Sequence, residues 1–463
     1  MIGLHPLIIL AIGIVTVLSM IIVLRIHAFL ALITAAIVVS LLSPGEFGLK
    51  ITRVAEAFGT TTGKIGVVIA LAAVIGRCLI ESGAADRIVR MFVRLLGEKR
   101  CAISLMTSGF VLSIPVFFDT VFYLLLPLAR SMHRRTKKSY LLLILAMGVG
   151  ASITHSLVPP TPGPLIIAET LGINLGVMIN IGLLVAVPTA VVGMFLVGWL
   201  ARRISIPMRP LEGGRPEPEP LPDEELPGLL PSLLPIVLPV LMISAHTVVS
   251  TLAKGAGKDS PISSAEQFTA VLGNANLAML VAAAIALLVL WRQRRTDRQE
   301  IMKLVESSLM SGGVIILITA GGGAFGAMLK EAQIGPAIQN MFVSDGAQHI
   351  GGIKLLLMGF FVASLLKFAQ GSSTVSMITT SAMLAALITS REALGYHPVY
   401  LGTAIGFGSQ CGNWMNDSGF WIFAKMSGLT EVETLKTWTV TVSTLAFVGL
   451  GFTLLFATIL PLV

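Results

Sequence analysis

The sequence predicts an all-α polytopic membrane protein with about ten transmembrane helices and two re-entrant helical hairpins, arranged as two inverted repeats. Three observations carry this. Only 12% of the 463 residues are charged while 55% are hydrophobic, and mean hydropathy is +0.89; a soluble globular chain carries about 25% charged residues. The charges are clumped, leaving apolar runs of spanning length at 4–24, 176–201, 273–291 and 437–462. Features also recur in the same order in the two halves of the chain. This composition excludes a soluble enzyme, a nucleic-acid-binding protein and a disordered scaffold, despite a net charge of +8.

Residues 1–60 are expected to form a two-span N-terminal scaffold. Met1–Pro6 has no basic segment, and the apolar run continues to Leu24 without a small-residue cleavage site, so no cleavable signal peptide is expected. Four basic clusters mark cytoplasmic loops, because short loops on that side retain Lys and Arg. They are Arg87, Arg90, Arg94, Lys99 and Arg100; Arg130, Arg134, Arg135, Lys137 and Lys138; Arg202, Arg203, Arg209 and Arg215; and Arg292, Arg294, Arg295, Arg298 and Lys303. Between the first two, residues 101–129 are apolar with basic flanks at both ends, so the chain enters and leaves on one side. Two full crossings need about 40 residues. A re-entrant hairpin is therefore expected near 101–129, with its tip near Ser113, Pro115 and Asp119. Just before it, 84–100 places Ile88, Met91, Phe92, Leu95 and Leu96 on one helical face and Arg87, Arg90 and Arg94 on another, the pattern of a helix lying in the membrane interface. Residues 202–228, containing RPEPEPLPDEELP, read as a Pro-rich acidic cytoplasmic linker. Two connecting spans are expected in 229–303. Cys78, Cys101 and Cys411 lie in or beside apolar segments, which argues against a disulfide framework.

The repeats are expected at 61–201 and 304–463, the second with a hairpin near 351–390. A shift of 250 residues aligns Gly76, Leu79, Glu81, Ile88, Met91 and Phe92 with identical residues at Gly326, Leu329, Glu331, Ile338, Met341 and Phe342. The same shift carries FFDT (117–120) onto KFAQ (367–370), and a slightly longer one carries GVG (148–150) onto GFG (406–408). The connecting spans start the second copy on the side where the first ends. The leading spans, 61–82 and 308–330, then enter from opposite sides, and the repeats are inverted. Inverted repeats with interrupted helices are the architecture of secondary transporters.

The interruptions hold the chemistry. SIPVFFDT (113–120) and ASITHSLVPPTPGP (151–164) break the first half; KFAQGSST (367–374) and GSQCGNWMNDSG (408–419) break the second. A helix broken at mid-membrane offers free N–H groups and a positive dipole end to an anion. Beside these ends stand Thr120, Thr154, Thr161, Gln370, Ser372, Ser373, Thr374, Asn413, Asn416 and Ser418, with Gly163 and Gly371 in the same breaks. That inventory of hydroxyls and amides matches a polyhydroxylated carboxylate. Lys367 is the only Lys or Arg in the breaks, so helix dipoles and hydroxyls are expected to hold the carboxylate. Asp119, His155 and Asp417 are the ionisable candidates for proton coupling, since intramembrane ionisable groups are costly and usually functional. Competing uses are a structural His155 bonding backbone freed by Pro159 and Pro160, helix capping by the two aspartates, and sodium coordination. GGG at 321–323 lacks the lysine of a phosphate loop and reads as helix packing. No cofactor and no metal site are expected.

FFDTVFYLLLPL (Phe117 to Leu128), THSLVPPTPGP (Thr154 to Pro164), GGGAFGAMLKEAQIG (Gly321 to Gly335), NDSGFW (Asn416 to Trp421) and ETLKTWT (Glu433 to Thr439) resemble the gluconate:proton symporter family of the ion transporter superfamily. The resemblance covers nearly the whole chain. It implies uptake of gluconate or a related small sugar acid with protons, by a homodimer with moving hairpin domains in a bacterial inner membrane, and it adds weight to Asp119, His155 and Asp417. One departure is Thr161, where gluconate-type members commonly carry a second histidine. Members similar in fold take glycerate, fructuronate or D-serine, and a sodium-coupled carrier on the same scaffold is the neighbouring alternative. An intramembrane enzyme using His155 and Asp417 lacks a nucleophile–base pair at recognisable spacing, so no enzymatic activity is expected.

Overall fold

A computed structural model describes residues 5–209, 222–253, 261–294, 297–333, 352–385, 387–388, 394–415 and 417–462. Ile338, Met341, Phe342 and Asn416 lie outside the described residues. No strand occurs among the described residues, as expected where backbone N–H and C=O groups must be satisfied within their own segment.

The helices are α1 (Pro6–Leu18), α2 (Ala28–Leu42), α3 (Thr52–Glu81), α4 (Ala84–Leu96), α5 (Cys101–Leu112), α6 (Phe118–Thr136), α7 (Tyr140–Leu157), α8 (Pro162–Thr170) and α9 (Leu175–Arg203). After the linker come α10 (Leu229–Ala253), α11 (Pro261–Leu272), α12 (Ala275–Arg294), α13 (Arg298–Glu331), α14 (Gly352–Gln370), α15 (Ser373–Ala385), α16 (Val399–Gly408) and α17 (Ser418–Ser427). The last, α18 (Glu431–Ile459), contains a π-helical turn at Leu435–Thr439. By length and composition, seven described helical segments can cross a membrane: Phe47–Glu81, Tyr140–Thr170, Leu175–Arg203, Leu229–Ser250, Ala275–Arg294, Arg298–Glu331 and Glu431–Ile459. The apolar run at 4–24 is not one straight helix. α1 ends at Leu18, a π turn follows at Ser19–Val23, and Arg25 at φ 52 turns the chain into α2.

The packing follows an exchange rule. α3 lies along α13; α13 also packs on α2, and α3 on α12. Within the first half α5 packs on α7 and α7 on α9; within the second, α14 packs on α16 and α16 on α18. Across the halves α8 meets α15 and α6 meets α17. Each of these pairings has a counterpart with the halves swapped.

Glycines make two of these counterparts equivalent at the residue level. A Cβ on Gly150 of α7 would collide with the Met106 carbonyl oxygen of α5, and one on Gly408 of α16 with the Phe360 carbonyl oxygen of α14. These are the last glycines of the GVG and GFG strings. Ala normally improves a helix interior over Gly by about 0.5–1 kcal/mol, but here the new methyl meets backbone that cannot rotate away. Gly150→Ala and Gly408→Ala are each expected to destabilise by about 1–3 kcal/mol, seen as a lower thermal transition of the detergent-solubilised protein. Gly198→Ala, with nothing within 4 Å of the added carbon, should not lower it.

α4 turns off α3 through Gly83 at φ 76. Its small residues Ala84 and Ala85, with Ile88 and Val89, are buried, and it packs on α5 and α10. The apolar stripe read from the sequence thus splits: Ile88 joins the core, whereas Leu95 stays 74% exposed.

Candidate functional site

Each of the four polar interruptions is a helix break, and residues from all four line one cavity of about 380 Å³.

α5 stops at Leu112, where Pro115, lacking an N–H, prevents its continuation. α6 restarts at Phe118 with no side-chain cap on its first turn. Phe117, Phe118, Asp119 and Thr120 line the cavity from this end. An uncapped helix N-terminus presents unsatisfied N–H groups and the positive end of the helix dipole. The second break follows α7, which contributes Ser152, His155 and Ser156 before ending at Leu157. The third places Ser372, Ser373 and Thr374 at the start of α15, and the fourth places Gln410, Asn413, Asp417, Ser418 and Gly419 before and at the start of α17. Ser311 of α13 and Trp438 of the π turn complete the polar lining.

The charges are unequally engaged. Asp417 caps α17, its Oδ1 accepting from the Gly419 N–H at 3.0 Å. Its Oδ2 accepts from the Lys367 ammonium at 2.5 Å and from the Asn413 side-chain amide. Lys367 also donates to the Gly371 carbonyl at 2.6 Å, and both members of the pair are buried. Lys367 thus ties the third break to the fourth and is not a free cation for a ligand. Asp119 has neither an ion-pair partner nor a hydrogen-bonded side chain among the described residues.

His155 stands edge-on to Phe117, ring centres 6.1 Å apart, and its buried Nδ1 has no hydrogen-bond partner among the described residues. The carbonyls freed by the prolines are satisfied by a different residue. The Thr161 hydroxyl lies 2.9 Å from the His155 oxygen and 2.8 Å from the Val158 oxygen, donating between them. The Thr161 hydroxyl thus holds the break together.

Three other candidates also lie outside the cavity lining. Thr154 donates to the Gly150 carbonyl at 3.1 Å within α7, Gly163 packs against Met377, and Gly371, at φ 87, makes the turn between α14 and α15. The Gln370 side chain is outside the described set. Residues not foreseen are Ser152, Ser156, Ser311, Gln410 and Trp438. Ser152, His155 and Ser156 stand at i, i+3 and i+4 on one helix face, a spacing that could have found the two serines. Nothing local pointed to Ser311, which long-range packing brings in; Trp438 lies in the ETLKTWT string, where nothing local sets it apart from its neighbours.

Several lining residues hold buried polar atoms without hydrogen-bond partners among the described residues: Gln410 Oε1, Asn413 Oδ1, His155 Nδ1 and Trp438 Nε1. The orientation of the two amides is fixed by their donors. Gln410 Nε2 donates to the Ser152 carbonyl at 2.9 Å, and Asn413 donates to Asp417. Buried polar atoms left bare cost about 1–3 kcal/mol each, so this wall is complementary to a ligand that both donates and accepts hydrogen bonds. Trp438 also forms an aromatic floor, stacked on Phe423 at 4.5 Å and Phe118 at 5.5 Å. A Cβ on Gly148 would strike its ring.

An all-helical chain whose broken helices meet at one polar cavity is the construction of a membrane transport protein, a multi-pass protein of the inner membrane and not an enzyme. The chain belongs to the GntP family of permeases, whose sequence profile matches residues 5–459. It is 29% identical to the gluconate permease of Bacillus subtilis over 97% of this chain and 99% of that one. It is 32% identical to the gluconate permease of Pseudomonas aeruginosa, with 97% of each chain covered. The Gnt-II system L-idonate transporter of Escherichia coli is 30% identical, over 96% of this chain and 97% of that one. Among solved structures, the YdaH transporter of Alcanivorax borkumensis shares the fold with TM-score 0.64 at 15% identity, over 94% of this chain and 98% of that one.

Proposed function

We propose that the chain is a proton-coupled symporter importing gluconate or a closely related sugar acid, held in the cavity between the four breaks. The observation that carries the reading is the division between the two aspartates. Asp417 is committed to Lys367 and to its helix cap, whereas Asp119 stands in the uncapped first turn of α6 and, among the described residues, has no ion pair to break before it takes or gives a proton. The α6 N-terminus attracts the substrate carboxylate, and hydroxyls from Ser152, Ser372, Ser373 and Thr374, with the bare Gln410 and Asn413 oxygens, bond its hydroxyl groups. The cavity volume is at the small end of the ~300–1,000 Å³ usual for ligand sites. The names of the relatives support the same class, since gluconate and L-idonate are both six-carbon polyhydroxy carboxylates.

The exchange of contacts between the halves supports two inverted repeats with about ten crossings, α5–α6 and α14–α15 being the re-entrant hairpins and α4 lying along the cytoplasmic interface. Assembly as a homodimer belongs to the same reading.

The test is uptake of labelled gluconate into proteoliposomes under an inward proton gradient without sodium. Accumulation that a protonophore collapses, competed by L-idonate more than by glycerate or D-serine, is the expected result. Uptake only after sodium is added would overturn proton coupling, and preference for D-serine would overturn the substrate. In the same assay His155→Ala should flatten the pH dependence of uptake; an unchanged profile would confine His155 to packing against Phe117.

A further inference from the structure

A second, larger cavity of about 860 Å³ lies between the end of α3, α4 and α6, and shares Thr120 with the central one. It is on the side of the basic loops, which the distribution of Lys and Arg puts in the cytoplasm. Two of its arginines have local partners: Arg77 pairs with Glu81 at 2.8 Å, and Arg135 with Glu98. Arg90, whose charge also acts on Asp86 of the same helix, and Arg94 converge on one carboxylate, each binding a different oxygen of Asp223. Asp223 comes from the linker, not from the helices that wall the chamber. The strap that carries it is pinned by the buried Leu226 and by Gln293 of α12, which donates to the Glu225 carbonyl. Two guanidiniums closing on the two oxygens of a carboxylate form an anion clamp, here filled by the chain's own acid. The hydrogen bond from Arg90, aided by the charges of Arg94, Arg90 and Arg87, holds the Asp223 carboxyl below the ordinary carboxylate range, so the strap presents an anion at any pH of transport.

We propose that the Arg90–Arg94 clamp is a second binding site for organic carboxylates, on the route between the central cavity and the cytoplasm, and that Asp223 is a tethered competitor that fills it between passages. This rests on the sugar-acid reading above. Thr120 borders both chambers, so the proposed route runs from the α6 N-terminus past Thr120 to the clamp. The clamp is partly open to solvent, and an ion pair so exposed is weak. Asp223 therefore exchanges readily with a passing carboxylate instead of sealing the path.

The experiment places a single reactive thiol in the chamber, Ser131→Cys, in full-length protein with Cys78, Cys101 and Cys411 replaced by serine. Its modification rate is read with a sulfonate-bearing methanethiosulfonate and with the trimethylammonium counterpart. Asp223→Asn should raise the sulfonate-to-ammonium rate ratio roughly two- to fivefold, the range commanded by a partly exposed ion pair. Arg90→Gln combined with Arg94→Gln should lower it below the parent, and gluconate should slow the sulfonate reagent. A ratio unmoved by Asp223→Asn would overturn the clamp, and absence of protection by gluconate would overturn its place on the route. If the parent protein does not transport gluconate, the sugar-acid reading fails by itself; the rate ratio, with acetate as the competing carboxylate, still decides the clamp.

Discussion

Asp119→Asn is expected to abolish proton-driven accumulation while leaving exchange of substrate across the membrane intact. A pH gradient of two units supplies about 2.7 kcal/mol per proton, enough for roughly hundredfold accumulation at one proton per substrate. The variant should fall to the external concentration, a ratio of about one on the same scale, because the amide keeps the shape and polarity of the side chain but cannot carry the proton. Counterflow of labelled against unlabelled gluconate needs no net proton movement and should survive. Undiminished accumulation would move the coupling role elsewhere, and loss of counterflow as well would make Asp119 a binding residue only.

The Lys367–Asp417 pair gives the largest expected effect on stability. Removing one partner of a buried pair leaves an uncompensated charge and costs about 3–5 kcal/mol, so Lys367→Met should sharply lower the thermal transition in detergent and the yield of folded protein. Adding Asp417→Asn should recover most of the loss. Asn is as good an N-cap as Asp, so the cap on α17 is kept while the orphaned charge goes. Equal instability of the single and double variants would show that Lys367 acts through the Gly371 carbonyl and not through Asp417.

Much of this organisation was legible in the sequence, for physical reasons. Charge segregation and apolar runs reflect the solvent the helices sit in, and prolines, glycines and polar residues inside those runs mark places where a helix cannot continue. All four breaks and the convergence of Asp119, His155, Ser372, Asn413 and Asp417 followed from that. The partnerships were not legible. Lys367 and Asp417 are fifty positions apart, and nothing local tells a committed carboxylate from a free one. Thr161 resembled a ligand residue because its hydroxyl lies in a break; its actual task, bonding the His155 and Val158 carbonyls, depends on the path of the turn. Ser311 lies on a span that reads as an ordinary lipid-embedded helix, and only the packing of α13 exposes it to the cavity.

The contacts at Gly150 and Gly408 also bear on mechanics. Where main chain lies directly on main chain, no side chain can change rotamer to let one helix slide past the other. The α5–α7 and α14–α16 seams therefore behave as welds. Whatever displacement admits and releases a solute must carry α5 with α7, and α14 with α16, as one block, and the give must lie at side-chain-filled borders such as α6 against α17, where Phe122 meets Phe423.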